Sequence, residues 1–254
     1  MFMKKILVTL VLVLSSISIY AEENGIFNHM SVAVELGSTG IGFELAAPIG
    51  NYVAVRAGMD FMPSFKYNTT IDVGCPQGLP DGMKIPTTVD IEGKDKFVNG
   101  KLLFDCYPFR NSSFHVTAGA YIGSKEVIDV YNKEDGALKD IVSWNKQRPE
   151  AMIGAELGDY FLTPDDQGNV NADVRTKSFR PYFGLGFGRA VPQKHRFTCA
   201  FDAGVMFWGK PEIYLRDTKV EASDIDGDGG GIAKTMTKIQ VWPCLSLRVI
   251  GRIF

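Results

Sequence analysis

Ser178-Phe-Arg-Pro-Tyr-Phe-Gly-Leu-Gly-Phe-Gly188 and, after a short connection, Phe197-Thr-Cys-Ala-Phe-Asp-Ala-Gly-Val-Met-Phe-Trp208 decide how this chain is read. Each segment alternates with period two. Phe179, Phe183, Leu185 and Phe187 share one face, and Arg180, Tyr182, Gly184 and Gly186 the other. In the second segment Phe197, Cys199, Phe201, Val205 and Phe207 oppose Thr198, Ala200, Asp202, Gly204 and Met206. Strict alternation over this length is the signature of strands with two unlike environments. One face is bulky and apolar; the other is small, glycine-rich and carries one charge per strand. Val191 to Arg196 joins the two as a tight connection.

The same pattern recurs along the chain. Met30, Val32, Val34 and Leu36 oppose Ser31, Ala33 and Glu35. Ile41, Phe43 and Leu45 oppose Gly42 and Glu44, and Val53, Val55, Ala57, Met59 and Phe61 oppose Arg56, Gly58 and Asp60. A fourth strand over 97–109 places Lys101, Asp105 and Tyr107 on the small face. A fifth, from Phe114 to Ile122, places His115 and Thr117 there, and the last, over 238–254, Arg248 and Arg252. That makes eight strands. Tight connections fall at 48–51, 110–113 and 191–196 and long ones at 62–96, 125–177 and 209–237, with a further short turn at 37–40. Short turns at one end and long loops at the other, on an even strand number, are the habit of bacterial outer-membrane barrels. The expectation is therefore an all-β, eight-stranded antiparallel transmembrane β-barrel with three long extracellular loops. Within the second insertion, Ile153 to Thr163 is expected in an external hairpin beside the upper end of the sixth strand. Tyr160 to Ala172 reads as a hairpin around Asp165-Asp-Gln-Gly168.

The competing architecture is a soluble, lipocalin-like ligand-binding barrel, with the apolar face turned in. The small face argues against it. It carries Glu35, Glu44, Asp60, Asp105 and Asp202 against Arg56, Lys101, Arg180, Arg248 and Arg252, five acids and five bases, among Gly, Ala, Ser, Thr and Tyr. Balanced ions can pair inside a narrow barrel, whereas bases turned to the bilayer midplane would each cost about 2–4 kcal/mol. An eight-stranded barrel is about wide enough for side chains to fill, so an occluded, charge-paired interior is expected.

Composition agrees with that assignment. The 254 residues carry a net charge of −2, which gives no clustered positive surface for nucleic acid. No apolar run beyond the N-terminus is long enough for a spanning helix. Lys4-Lys5 followed by apolar Ile6 to Leu14 and small residues up to Ala21 reads as a signal peptide over 1–21, leaving a barrel domain over 22–254. Cys75, Cys106, Cys199 and Cys244 have neither metal-site nor disulfide-framework spacing.

With these features the chain resembles small bacterial outer-membrane β-barrel proteins of the OmpA/OmpX-like class. The leader, the eight-strand count and the terminal Arg-Ile-Phe254 carry the likeness. The resemblance implies residence in the bacterial outer membrane, contact with its lipid, and Phe254 as an assembly signal for the barrel-assembly machinery. Phe254 has the parity of Arg252 rather than of Ile253, so a bulge near the end or an inward Phe254 is required.

The resemblance assigns no catalytic residue, and the candidate sites are few. Asp224, Asp226 and Asp228, followed by Gly229, match the start of a Ca²⁺ loop, but Thr235 stands where a bidentate Glu belongs. No other cofactor is expected. His29, His115 and His195 lack a Ser and an acid at recognisable spacing, so His115 is expected as a packed, hydrogen-bonded side chain rather than a catalyst. Tyr107, Trp208 and Trp242 are expected in interfacial aromatic girdles. Gly184 to Gly188 is no nucleotide loop, since no helix follows. A non-enzymatic structural or surface-interaction protein with an unidentified extracellular ligand is the reading; a lipid-modifying enzyme and a narrow pore are the alternatives.

Overall fold

The computed structural model describes residues 28–64, 66–75, 86–109, 111–149, 152–157, 160–193, 195–220 and 240–253. The expected leader over 1–21, the Asp224, Asp226 and Asp228 motif and Phe254 lie outside the described residues.

Eight strands close into a barrel: β1 (Ser31–Gly37), β2 (Gly40–Pro48), β3 (Val53–Phe61), β6 (Val98–Cys106), β7 (Phe114–Gly123), β12 (Phe179–Phe187), β13 (Phe197–Phe207) and β16 (Val241–Arg252). Every neighbouring pair is antiparallel, and β1 meets β16 to complete the ring, with Val34 opposite Val249. The alternation fixes the facing. Along β12 the outward residues are exposed and the inward ones buried at every position. Phe43, Phe183, Phe187, Phe197, Leu247 and Val249 stand on the outside, and the outward positions of all eight strands carry no charged residue. The soluble-barrel alternative is thereby reversed: the rings lie on the outer surface, not in the centre. Pro243 lies within β16 where its missing N–H leaves no ladder bond to β1 unmade, because the pairing with β1 ends at Ser246. The Ser38 hydroxyl donates to the Pro243 carbonyl at 2.7 Å instead.

The long insertions are not loops. They supply β4 (Lys66–Gly74), β5 (Thr88–Asp95), β8 (Glu126–Asn132), β9 (Gly154–Leu157), β10 (Tyr160–Leu162), β11 (Asn171–Arg175), β14 (Glu212–Leu215) and β15 (Thr218–Lys219), with one helix, α1 (Lys139–Gln147). These eight strands form a second sheet in the order β10-β9-β4-β5-β8-β11-β14-β15. One face of it is apolar: Ile71, Val73, Val89, Ile91, Val130 and Ile213 pack with Leu138 and Ile141 of the α1 region and with Ile153, Leu162 and Val170. Several strands run on from the barrel, as the extended look of residues 65–73 and 87–91 suggested. Met62 N–H donates to the Phe97 carbonyl at 3.0 Å and Lys177 N–H to the Trp208 carbonyl at 2.9 Å, carrying the ladder across the rim.

Two local expectations are corrected. The hairpin around Ile153 to Thr163 exists as β9–β10, but β9 pairs with β4 (Val73 opposite Ala155), not with the sixth barrel strand. Tyr160 to Ala172 is not a hairpin: β10 pairs with β9, while β11 lies between β8 and β14. The Asp165 turn itself forms, its carboxylate accepting the N–H groups of Gln167 and Asn169 at 2.9 and 2.8 Å. The chain then diverges because Leu162 and Val170 are both fully buried in the upper core rather than paired with each other.

Candidate functional site

The polar interior of the barrel is built by register. Charged side chains of the interior sit two strands apart and straddle a glycine on the strand between. Glu35 and Asp60 flank Gly42, Glu44 and Lys101 flank Gly58, and His115 and Asp202 flank Gly186. A Cβ on Gly42 would collide with the Asp60 carboxylate, and one on Gly186 with the His115 imidazole and Asp202. The glycines leave the room that the long side chains fill.

Lys101 Nζ donates to Glu35 Oε2 at 2.5 Å and forms ion pairs with Glu44 Oε1 at 2.7 Å and Asp60 Oδ1 at 2.8 Å. Arg56 bonds Asp105 at 2.9 Å, Glu44 at 3.3 Å and Asp202 at 3.3 Å. Arg248 pairs with Asp202 at 2.7 Å and reaches Glu44 at 3.5 Å. Thr39 donates to Asp60 at 3.0 Å and Thr117 to Asp105 at 2.8 Å. Glu35, Glu44, Arg56, Asp60, Lys101, Asp105, Asp202 and Arg248 thus join in one connected set, all of it buried. Charges held this way need several partners each, since desolvation outweighs a single contact.

Arg180 and Arg252 stand outside that set. Arg180 is fully buried at the rim below the second sheet. Its guanidinium bonds the Asn99 amide oxygen, the Ser124 carbonyl at 2.6 Å, the Lys177 carbonyl at 2.8 Å and Thr176 Oγ1 at 3.1 Å, and lies over the Phe97 ring. Arg252, at the opposite end, donates to the carbonyls of Pro192 and Gln193 at 3.3 Å.

Aromatic rings cap the charged layer. The expected girdle residues turn inward instead, as their parity with Lys101 and Asp202 requires. Trp208 and Trp242 meet with ring centroids 4.9 Å apart and planes tilted by 52°, beside Phe97, Tyr121, Tyr182 and Met206 at the rim that faces the second sheet. Tyr107 fills the other end with Ala46, Ala54, Ala190 and Val191, accepting the Ala190 N–H at 2.9 Å. Beyond it a cleft of about 250 Å³ opens between Asn28, Asn51, Arg189 and Gln193. His29 and His195 are exposed at this end.

His115 is fully buried, with Nε2 2.9 Å from Asp202 Oδ1 and Nδ1 3.2 Å from the Ser113 carbonyl. Ser113 offers its backbone rather than a hydroxyl, so the pair lacks a nucleophile. Asp105, His115 and Asp202 could converge on a metal, with ligand atoms within 4.8 Å of one another, but Arg56 bonds both carboxylates and takes the place an ion would need. Two further polar residues, Thr39 and Asn99, serve the interior by bonding Asp60 and Arg180. Asn99 has inward parity and was legible; Thr39 lies in a turn and gave no signal.

An all-apolar outer surface around an ion-paired centre is stable in hydrocarbon, and closure leaves no strand edge there to satisfy. This is a closed eight-stranded antiparallel β-barrel with an apolar outer belt. No protein-family model and no curated protein matches the chain. Among solved structures it is similar to Acinetobacter baumannii CarO, at 16% identity and a TM-score of 0.44 over 87% of this chain and 96% of that one. It is also similar to Acinetobacter baumannii CarO2, at 17% identity and 0.45 over 89% and 99%. At that distance the likeness carries no argument, and the assignment rests on the geometry above.

Proposed function

We propose that residues 22–254 form a non-enzymatic outer-membrane barrel whose interior is closed by paired charges, and that it presents the second sheet at the cell surface to an extracellular partner. The observation that carries this reading is the reach of Lys101 and Arg56. Each bonds three carboxylates from different strands, so the two side chains cross-link β1, β2, β3, β6 and β13 through the lumen. A conducting pore needs wall charges that leave its centre to water; here they meet in the middle. The second sheet, with its own apolar core against α1, has the build of a folded display surface rather than of mobile loops. Membrane lipid covers the apolar belt in this reading, and Phe254 serves the assembly machinery.

The test is reconstitution of the detergent-folded protein into planar bilayers, alongside outer-membrane fractionation with boiled and unboiled electrophoresis. The folded form is expected to migrate anomalously and to give no unitary conductance. Reproducible single-channel steps would overturn the closed interior and favour the narrow pore.

A further inference from the structure

The interior ions do not balance as their ordinary charges stand. Glu35, Glu44, Asp60, Asp105 and Asp202 supply five negative charges to the connected set, and Arg56, Lys101 and Arg248 three positive ones, which leaves two negatives over. Arg180 does not make up the difference locally, because its partners are two carbonyls, a hydroxyl and an amide oxygen. Uncompensated charge in such a place costs several kcal/mol per ion, and a group so placed takes up a proton instead.

Two places call for a proton, one by donor and acceptor count and one by crowding of charge. Both ring nitrogens of His115 face oxygens, Asp202 Oδ1 at 2.9 Å and the Ser113 carbonyl at 3.2 Å. A carbonyl can only accept. Asp202 also only accepts, since Arg248 Nε bonds its other oxygen at 2.7 Å and Arg56 the same one at 3.3 Å. A neutral imidazole has one N–H and would meet one of these oxygens lone pair to lone pair. The second is the cluster on Lys101, where Glu35, Glu44 and Asp60 set three carboxyls within 2.8 Å of one ammonium. Three carboxylates crowded on one buried cation leave negative charge out of water, so one of the neighbouring Glu35 and Glu44 carboxyls holds a proton.

We propose that the barrel interior stores two protons, one making His115 an imidazolium and one shared between Glu35 and Glu44, and that together they bring the buried set to neutrality. The charged groups around each position fit this. His115 on β7 faces Asp202 from β13, with Asp105 of β6, Arg56 of β3 and Arg248 of β16 behind, and the Tyr107 ring 5.3 Å away. The Glu35–Glu44 pair, on β1 and β2, faces Lys101 from β6, Arg56 and Asp60 from β3 and Arg248 from β16. Neither proton enters a reaction; one fills a His115 hydrogen bond that would otherwise set two acceptors against each other, and the other relieves the crowding of carboxylates on Lys101.

Two spectra of the unsubstituted chain, folded in detergent at pH 7, decide the matter. Infrared spectroscopy is expected to show the carbonyl stretch of a protonated carboxyl, lost in Glu35→Gln, whose amide N–H replaces the acid proton. NMR of ¹⁵N-histidine-labelled protein, with His115→Gln for assignment, is expected to show both ring nitrogens of His115 protonated. Absence of the carboxyl band, or one unprotonated nitrogen on His115, overturns the proposal. Either result stands even if a variant fails to fold, because the bands are read in the unsubstituted protein.

Discussion

Lys101→Met tests the interior with a single atom-scale change. Methionine keeps most of the apolar stem but removes the ammonium that lies 2.5–2.8 Å from three carboxylates. Glu44 retains Arg56 and Arg248 at 3.3 and 3.5 Å, and Asp60 retains the Thr39 hydroxyl. Glu35 keeps no cation. Breaking a buried pair from one side costs about 3–5 kcal/mol. An independent figure comes from the escape route, in which one carboxyl takes up a further proton. At pH 7, protonating a group whose ordinary value is about 4.3 costs 1.36 kcal/mol per unit, roughly 3.7 kcal/mol. At pH 5 the same step costs only about 1 kcal/mol. The variant is therefore expected to lose about 3–5 kcal/mol at pH 7, a large part of a total stability of about 5–15 kcal/mol, and to recover most of it at pH 5. The assay is urea unfolding in detergent at both pH values, followed by tryptophan fluorescence. The surface control is Lys96→Ala, whose pair with Asp129 is half-exposed and should be worth at most about 1 kcal/mol. A deficit below about 1 kcal/mol at pH 7 would refute the charge-paired interior. An equal deficit at both pH values would assign the loss to packing rather than charge.

Phe201→Arg places a guanidinium on the outer face between Leu247 and Phe187; it should cost about 2–4 kcal/mol in lipid vesicles, and unchanged stability there would mean that this face meets water. Gly186→Ala drives a methyl group into the His115–Asp202 contact. It should cost about 1–3 kcal/mol by overpacking, read as a lower urea midpoint. Cys106 and Cys199 are exposed on the bare protein but point outward from the barrel, so in vesicles a water-soluble maleimide should label neither until the protein is unfolded, while Asn111→Cys in an exposed turn labels at once. In the second sheet Lys66 and the Tyr131 hydroxyl bond Glu92 and hold its carboxyl below the ordinary range. That stabilisation is present above the unfolded value near 4.3 and is lost as pH falls through the lower folded value. Protease sensitivity of the β4–β5–β8 region should therefore rise on acidification below about pH 4, and Glu92→Gln should abolish the dependence.

The barrel was legible because its signal is local. Period-two alternation placed Phe183 and Leu185 on one face and Arg180 and Asp202 on the other without any knowledge of partners. What could not be read is who meets whom. Lys101 and Glu35 are 66 residues apart, and their contact follows from the register of β1, β2, β3 and β6 around Gly42 and Gly58. The inward glycines were visible as a class, but not their function as gaps between ion partners. Parity also put Tyr107, Trp208 and Trp242 inside, so the girdle expectation set residue type against position, and position won. The second sheet was hidden for a different reason. Its strands run from two to nine residues, and although β4–β5, β8–β11, β9–β10 and β14–β15 pair within single insertions, the sheet is assembled only by β4–β9, β5–β8 and β11–β14, which join strands of different insertions. Each then reads as a polar loop with extended flanks.

The two sheets solve opposite solvent problems with one backbone, and the rim is where the solution changes sign. Below it the apolar side chains face out and ions fill the centre; above it Ile71, Ile91 and Val130 turn toward α1 while Lys66 meets water and pairs with Glu92. A barrel that simply ended here would leave strand-end N–H and C=O groups bare beside the buried Arg180. Instead, Lys96 N–H donates to Val127 at 3.0 Å and Thr176 N–H to Lys125 at 2.8 Å, so pairing continues through the inversion. Arg180 then has a reason to lie where no carboxylate is close. Its donors take the Ser124 and Lys177 carbonyls, main-chain acceptors of the segments that link β7 to β8 and β11 to β12. The guanidinium thus occupies the seam as a hydrogen-bond hub rather than as half of an ion pair, and it ties the orientation of the upper sheet to the barrel that carries it.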